Sequence, residues 1–195
     1  MRVTSAETMD IVEMILSGKV NKEIVGMITK AGGKAVGFSG RDGNLLSAEK
    51  MGEQFGQVGN VTAVDTSLIS SVSAFIPVIA PVGIGKDGEA YNINADIAAG
   101  AIAAALKAEK LLLLTDVEGI LDKSGKRISS LTLNDVNALK KDGTISGGMI
   151  PKLKGVLDAL SAGVNKTHII DGRERHSVLL ELFTNEGIGT EILNA

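Results

Sequence analysis

Residues 89–121 read EAYNINADIAAGAIAAALKAEKLLLLTDVEGIL, and this stretch decides the fold class. It predicts a short strand over 89–93, followed by an alanine-rich helix over 95–106 that Asn94 caps. The leucine run 111–114 is apolar on both faces, which is typical of a strand at the centre of a parallel sheet. A strand, a helix and a second strand in this order indicate an α/β fold.

The same alternation continues downstream. A helix is predicted over 150–162, with Pro151 in its first turn, where proline is well tolerated. A strand is predicted over 167–170, and a last strand over 189–193 is expected at the edge of the sheet. We therefore predict a three-layer αβα sandwich with an open, mostly parallel sheet.

The upstream part begins with a helix signal. Thr4 and Glu7 have the spacing of a capping box, which predicts Thr4 as the N-cap of the first helix. Gly18 is expected to end that helix. The apolar run 76–82 predicts a single buried strand.

Composition excludes several classes of protein. The 195 residues carry a net charge of −3, which argues against nucleic acid or an anionic membrane surface as the main partner. With no cysteine and only two histidines, neither a thiolate nucleophile nor a structural zinc site is expected. No apolar run approaches the ~20 residues that span a bilayer, and no signal peptide pattern opens the chain. We expect a cytoplasmic protein.

Lys152 is the strongest candidate for anion chemistry. It follows Pro151 at the start of a predicted helix, so its ammonium lies near the positive end of the helix dipole. An anion held between Lys152 and the helix amides would be stabilised there. Gly147 and Gly148 would let the preceding loop approach a ligand. From spacing alone, a solvated surface lysine is the simpler alternative.

Two further segments carry candidate ligand contacts. Asp96 lies in the first turn of the alanine-rich helix, where it can also serve only to complement the helix dipole. The loop 116–121 follows the leucine strand, and ligands of open α/β sheets bind outside the carboxyl ends of strands. A plain turn is the alternative for this loop.

Three motifs occur in a fixed order along the chain: NINAD (92–96), TDVEGIL (115–121) and GGMIPKL (147–153). With RVTSAETMDIVEMILSGKVNKEIV (2–25) and DGRERHSVLLELFTNEGIGTEI (171–192), they resemble the acetylglutamate kinases of the amino acid kinase family. The resemblance implies transfer of the γ-phosphoryl group of ATP to the side-chain carboxylate of N-acetyl-L-glutamate, a step of arginine biosynthesis. It also implies a homo-oligomer.

The resemblance assigns roles to individual residues. Lys152 would stabilise the transferred charge and Asp96 would orient the active-site lysines. Substrate contacts would come from Arg2, Asn92 and Asn94. The adenine and ribose of ATP would border Asp116, Val117, Glu118, Gly119, Ile120, Leu121, Thr144, Ile145 and Ser146.

Regulation, metal use and lobe organisation also follow from the resemblance. His176 and Glu186 would contribute to binding of an arginine effector, whereas His168 is expected to be structural. Mg²⁺ would be held mainly by the phosphates of ATP, with no dedicated metal site in the protein. Residues 1–108 would form an incomplete acetylglutamate lobe and residues 109–195 the nucleotide lobe.

Two family motifs do not occur in this sequence: an initial strand with Lys-x-Gly-Gly and a later Gly-Gly-Gly loop. The chain resembles the C-terminal two-thirds of a family member, and we expect low kinase activity, since losing one preorganised donor typically costs about 10²–10³ in rate. A non-catalytic module that binds nucleotide or arginine is the first alternative. Another amino acid kinase, acting on glutamate, carbamate or a nucleotide, is the second.

Overall fold

The computed structural model describes residues 3–145 and 147–194, with the side chain of Pro151 left aside. The chain divides into two compact units, Met1–Ala98 and Ala99–Ala195. That residues 1–108 bind acetylglutamate and residues 109–195 bind the nucleotide stays a prediction.

The first unit combines short helices with two small sheets. Its helices are α1 (Ala6–Glu13), α2 (Asn21–Lys30) and α3 (Ser67–Ser71), with a π-helical segment over Met14–Val20. Its strands are β1 (Ala35–Ser39), β2 (Leu46–Lys50), β3 (Gly59–Val64), β4 (Ile76–Ala80), β5 (Val82–Gly85) and β6 (Ala90–Asn92). Strands β1 and β4 form a parallel pair, and the other four follow the order β3-β2-β5-β6.

The second unit is built on one four-stranded sheet. Helix α4 (Ala95–Ala105) crosses the boundary between the units, and α5 (Leu133–Lys141), α6 (Met149–Ser161) and α7 (Ser177–Phe183) belong to the second. Its strands are β7 (Lys110–Thr115), β8 (Ser130–Thr132), β9 (Lys166–Asp171) and β10 (Thr190–Leu193). They follow the order β7-β9-β10-β8.

The predicted α/β class is confirmed. Among the described strands four pairs are parallel and three are antiparallel, so the sheets are mixed with parallel pairing in the majority. In the second unit β7 runs parallel to β9 and β8 parallel to β10, whereas β9 and β10 are antiparallel. In the first unit the hairpins β2–β3 and β5–β6 are antiparallel. Short connections within these hairpins allow the antiparallel pairing.

Two strands lie at positions opposite to those predicted. The leucine strand β7 is at the outer end of the sheet order in the described residues, and Leu114 is 54% exposed. The last strand, β10, lies inside the sheet, between β9 and β8. Hydrophobicity predicted β7 as central, but partner order depends on long-range pairing that local composition does not encode.

The N-terminal helix begins and ends differently from the prediction. Ser5 is the N-cap, and its hydroxyl accepts the N–H of Thr8 at 3.2 Å. Thr4 is instead engaged by other segments of the unit. Gly18 does not end the helix, because the chain continues through the π-helical segment into α2. Glycine inside a helix costs ~1 kcal/mol but does not by itself end it.

The predicted single strand over 76–82 is divided in two. Strand β4 pairs with β1, whereas β5 pairs with β2 and β6, so the chain changes sheets at Pro81. Proline has no N–H to donate to a strand ladder. The interruption therefore falls where a continuous strand would lose a hydrogen bond.

Asn21 ties α2 to the parallel pair of strands. Its side chain is buried, and Nδ2 donates to the carbonyl oxygens of Phe38 at 3.1 Å and Val78 at 2.9 Å. Gly37 leaves the space that this side chain occupies, since a Cβ there would lie 1.8 Å from Asn21 Oδ1. The helix is thus fixed against β1 and β4.

Helix α6 is embedded in the core of the second unit. Its fully buried side chains are Leu153, Val156, Ala159 and Leu160. At Gly100 and Gly155 the backbones of α4 and α6 approach closely, because a Cβ at Gly100 would lie 2.7 Å from the Gly155 carbonyl oxygen. This packing fixes the start of α6, which carries the main candidate residue.

Candidate active site

The N-terminus of α6 has no side-chain cap. Gly147 has a φ of +57°, and Gly148 is the N-cap, so no side chain from the cap covers the first amides of the helix. Lys152 lies in the first turn and is half-buried. The positive end of the helix dipole and the lysine charge reinforce each other for a negatively charged ligand.

Asn94 and Asp96 lie at the start of α4, within the first unit. Asn94 Oδ1 accepts the N–H groups of Asp96 at 3.0 Å and Ile97 at 3.1 Å, which confirms the predicted cap. Because this oxygen is committed to the cap, Asn94 can offer a ligand mainly its Nδ2. Asp96 is half-buried in the first turn of the helix.

Asn92 lies at the end of β6 and is held by two other segments. Its backbone N–H donates to the Gln57 carbonyl at 2.8 Å, and its Nδ2 donates to Thr4 Oγ1 at 3.2 Å. Arg2, the remaining predicted substrate contact, lies outside the described residues. Asn92 therefore has a defined orientation at the carboxyl end of its strand.

The loop after β7 has an exposed part and a buried part. Asp116, Val117 and Glu118 are exposed and can reach a ligand. Gly119 and Ile120 are buried, and the Ile120 N–H donates to Thr190 Oγ1 at 2.9 Å. Leu121, which follows, is exposed again.

Thr190, the first residue of β10, holds the loop over 116–121 in place. Its hydroxyl accepts from Ile120 and donates to the Ile128 carbonyl at 2.7 Å. Gly119 has a φ of +134°, and a Cβ there would lie 2.5 Å from Thr190 Oγ1. The buried residues of the loop therefore hold its shape and leave the exposed ones for a ligand.

The predicted nucleotide contacts at 144–146 differ in accessibility. Thr144 is half-buried, and its N–H donates to Asp142 Oδ1 at 3.0 Å. The Ile145 side chain is enclosed in the hydrophobic core, so a ligand could meet only its backbone. Ser146 lies outside the described residues.

A cavity of about 550 Å³ lies beside α7. Its lining includes His168, Glu181, Glu186 and Glu191, but His176 is not part of it. His168 is buried as expected, with Nδ1 2.7 Å from Glu181 Oε1, whereas its Nε2 has no hydrogen-bond partner among the described residues. Sequence reasoning did not link His168 with Glu181, and the only local signal was a glutamate inside the apolar run of α7.

Metal-binding clusters and membrane-spanning helices are both missing from the described residues. No group of three or more histidine, aspartate or glutamate side chains in 3–145 and 147–194 is placed to hold a metal ion. In the same residues no helix combines the length and apolar character needed to cross a bilayer.

The fold is that of an α/β protein, and its helix α6 begins without a side-chain cap and carries a lysine in its first turn. Comparison with known proteins specifies the family. The sequence pattern of the amino acid kinase family matches residues 1–171. The chain is 56% identical to the acetylglutamate kinase of Geotalea uraniireducens, over 99% of this chain and 71% of that protein.

Solved structures agree with this assignment. The smu.665 protein of Streptococcus mutans is 31% identical, with a TM-score of 0.84 over 99% of this chain and 74% of that one. The N-acetylglutamate synthase of Neisseria gonorrhoeae, solved with coenzyme A and N-acetyl-glutamate, is 25% identical, with a TM-score of 0.88 over 99% of this chain and 45% of that one. The chain belongs to the amino acid kinase family, and within it to the acetylglutamate kinase group.

Proposed function

We propose that the protein transfers the γ-phosphoryl group of ATP to the side-chain carboxylate of N-acetyl-L-glutamate, as a step of arginine biosynthesis. The observation that carries this proposal is the 56% identity to an acetylglutamate kinase along nearly the whole chain. The N-terminus of α6, which lacks a side-chain cap and carries Lys152 in its first turn, supports it, because phosphoryl transfer depends mainly on positioned positive charge.

The proposed reaction is a direct in-line displacement. A carboxylate oxygen of N-acetyl-L-glutamate attacks the γ-phosphorus, and the bond from that phosphorus to the β–γ bridging oxygen breaks. The products are an acyl phosphate and ADP. No general base is needed, since a carboxylate is already ionised at neutral pH.

Lys152 and the first amides of α6 serve as preorganised donors to the transferred group. Negative charge spreads over its equatorial oxygens in the transition state, and fixed donors stabilise it without reorganisation. Burial of the next turns of α6 keeps these donors in place. Asp96 orients the lysine side chains of the active site from its half-buried position on α4.

The substrate and the nucleotide contact different residues. Asn92, Asn94 and Arg2 bind N-acetyl-L-glutamate. The exposed residues Asp116, Val117, Glu118 and Leu121 border the adenine and ribose, together with the 144–146 segment.

Magnesium accompanies the nucleotide in this proposal. The described residues offer no cluster of three carboxylates or histidines for a dedicated ion site. An ion held mainly by phosphate oxygens and water would need few ligands from the protein. The ion would supply charge neutralisation along the triphosphate.

The cavity beside α7 is the proposed effector site. Its lining includes Lys126 and Arg127 beside Glu181, Glu186 and Glu191. Glu181 is bonded to His168 and Glu191 to Lys166, so the exposed Glu186 is the carboxylate offered to a cationic ligand such as arginine. His176, the N-cap of α7, is exposed and lies outside the lining. Calorimetry with arginine on Glu186→Gln and His176→Asn variants separates the two residues: we expect a clear loss of affinity for Glu186→Gln and a smaller one for His176→Asn, and unchanged binding in either variant removes that residue from the site.

A homo-oligomer in the cytoplasm completes the proposal. Apolar side chains are exposed along the N-terminal helices, at Ile11, Met14, Ile15 and Met27. Contiguous exposed apolar surface is typical of protein–protein contacts. Light scattering coupled to size-exclusion chromatography tests this, and Met14→Glu should shift the particle towards the monomer.

The main experiment separates binding from turnover. Calorimetry with AMP-PNP and with N-acetyl-L-glutamate measures the two sites, and an ADP-release assay compares N-acetyl-L-glutamate with glutamate and carbamate as acceptors. Release that depends on N-acetyl-L-glutamate supports the proposal. Nucleotide binding without release for any acceptor supports the non-catalytic alternative, and release with another acceptor identifies a different amino acid kinase.

A further inference from the structure

Thr4 lies at a junction of three segments of the first unit. Its N–H donates to the Phe55 carbonyl at 3.1 Å, and its own carbonyl accepts the Gln57 N–H at 2.7 Å. Thr4 is only 2% exposed. These two backbone bonds enclose Gly56 and attach the start of the chain to the loop before β3.

Gly56 makes this attachment possible. Its φ is +64°, and a Cβ at this position would lie 2.2 Å from the Thr4 carbonyl oxygen. A side chain is therefore excluded both by the backbone conformation and by the close approach of Thr4. The position of Thr4 is determined by backbone geometry rather than by its own side chain.

The Thr4 hydroxyl points to Asn92, which contacts the substrate in the proposed function. It accepts a hydrogen bond from Asn92 Nδ2 at 3.2 Å, while the Asn92 N–H is bonded to Gln57. The terminal torsion of asparagine is broad and nearly two-fold, so an unrestrained amide presents its nitrogen and oxygen interchangeably. The hydrogen bond to Thr4 Oγ1 fixes which side of the Asn92 amide carries the nitrogen and which carries the oxygen.

We infer that Thr4 is a positioning residue, which fixes the Asn92 amide so that its second Nδ2 hydrogen and its Oδ1 form a defined donor–acceptor pair for the substrate. The inference rests on the proposed function, in which Asn92 contacts N-acetyl-L-glutamate. A ligand with both an amide and a carboxylate matches such a pair. Thr4 acts through Asn92 and does not itself touch the substrate.

A pair of matched variants tests the role of the hydroxyl. Thr4→Val keeps the shape of the side chain and removes the acceptor, whereas Thr4→Ser keeps the acceptor. We expect Thr4→Val to weaken N-acetyl-L-glutamate binding about fivefold in calorimetry, the size of one net hydrogen bond. Thr4→Ser should stay within about twofold of wild type, and AMP-PNP affinity should be unchanged in both.

A double-mutant cycle distinguishes positioning from a general structural effect. In an Asn92→Ala background, Thr4→Val should cause no additional loss of N-acetyl-L-glutamate affinity, because the residue through which it acts is gone. The side-chain amide resonances of Asn92 in ¹⁵N-labelled protein should shift in Thr4→Val and remain in place in Thr4→Ser. Circular dichroism confirms that each variant is folded.

The outcomes bear on different claims. If wild type binds N-acetyl-L-glutamate and Thr4→Val binds it equally well, the positioning role is overturned and the proposed substrate stands. Equal additional losses with and without Asn92 overturn it as well. If wild type does not bind N-acetyl-L-glutamate, the proposed substrate fails and the inference fails with it.

Discussion

Nδ1 of His168 lies 2.7 Å from Oε1 of Glu181, and both side chains are buried. The other carboxylate oxygen of Glu181 accepts the N–H groups of Ile188 at 2.7 Å and Gly189 at 2.8 Å. Burial raises the pKa of Glu181, but the hydrogen bonds from His168, Gly189 and Ile188 outweigh it and hold the pKa below its ordinary value of 4.5. An ionised Glu181 therefore stabilises the fold.

This arrangement predicts an acid-dependent loss of stability. At pH 7 we expect Glu181→Gln to lower the free energy of unfolding by about 1.5–3 kcal/mol, the range for hydrogen bonds to charged groups. Because folding lowers the pKa, the contribution is complete above 4.5 and is lost as the pH falls through the folded-state pKa. Thermal unfolding of wild type and variant should therefore converge on acidification. The control is Glu186→Gln, because Glu186 is exposed in the same cavity. A difference in unfolding temperature between wild type and Glu181→Gln that stays constant through the acid range contradicts the argument.

Lys152 and Lys154 offer a matched pair on α6. Lys152 lies in the first turn and is half-buried, whereas Lys154 is exposed. Lys152→Ala should lower kcat by about 10²–10³, the cost of one preorganised donor. Its affinity for AMP-PNP should also fall, whereas Lys154→Ala should change neither. ADP release and calorimetry measure the two effects, and similar losses in both variants would remove the special role of Lys152.

Gly100 and Gly26 predict opposite responses to the same substitution. At Gly100 a Cβ would lie 2.7 Å from the Gly155 carbonyl, whereas at Gly26 in α2 it would meet nothing within 4 Å. Gly100→Ala should destabilise the protein by about 1–3 kcal/mol through overpacking. Gly26→Ala should stabilise it by about 0.5–1 kcal/mol, because alanine is the better helix former. Urea unfolding measures both, and a gain in stability at Gly100 would show that the helices can separate at little cost.

A negative charge at position 21 should destabilise the first unit. The Asn21 Nδ2 donates to two backbone carbonyl oxygens, and Lys22 Nζ donates to its Oδ1 at 3.1 Å. Asn21→Asp keeps the lysine contact but places its other carboxylate oxygen against two acceptors in a buried site. We expect a loss of about 2–4 kcal/mol at neutral pH. Asn137→Asp, on the exposed side of α5, is the control and should change stability little. Equal unfolding midpoints for the two variants would show that the Asn21 hydrogen bonds to β1 and β4 contribute little to stability.

Features governed by short-range hydrogen bonds could be predicted from the sequence. Asn94 caps α4 as expected, since its partners are two and three residues away. The helix beginning near Pro151 is also confirmed, because proline and glycine restrict the backbone locally. Thr4 shows the limit of such signals. Its capping pattern is as good as that of Ser5, but its hydroxyl is used by Asn92, 88 residues later.

Features that depend on distant pairing could not be predicted. The leucine content of β7 suggested a central strand, and the modest apolar character of β10 suggested an edge, but the sheet order reverses the two. The same holds for the candidate sites. Lys152 and its glycines are contiguous in sequence, whereas His168 and Glu181 come together only through the packing of α7 on β9.

The inner position of β10 has a consequence for how the protein is made. On the ribosome β8 and β9 emerge before residues 190–193, and neither can gain its β10 partner until those residues leave the exit tunnel. The loop over 116–121 lacks its hydrogen bond to Thr190 for equally long, because Thr190 is synthesised 70 residues after Ile120. Nascent chains thus carry two open strand edges until residues 190–193 emerge, and unpaired strand edges favour aggregation.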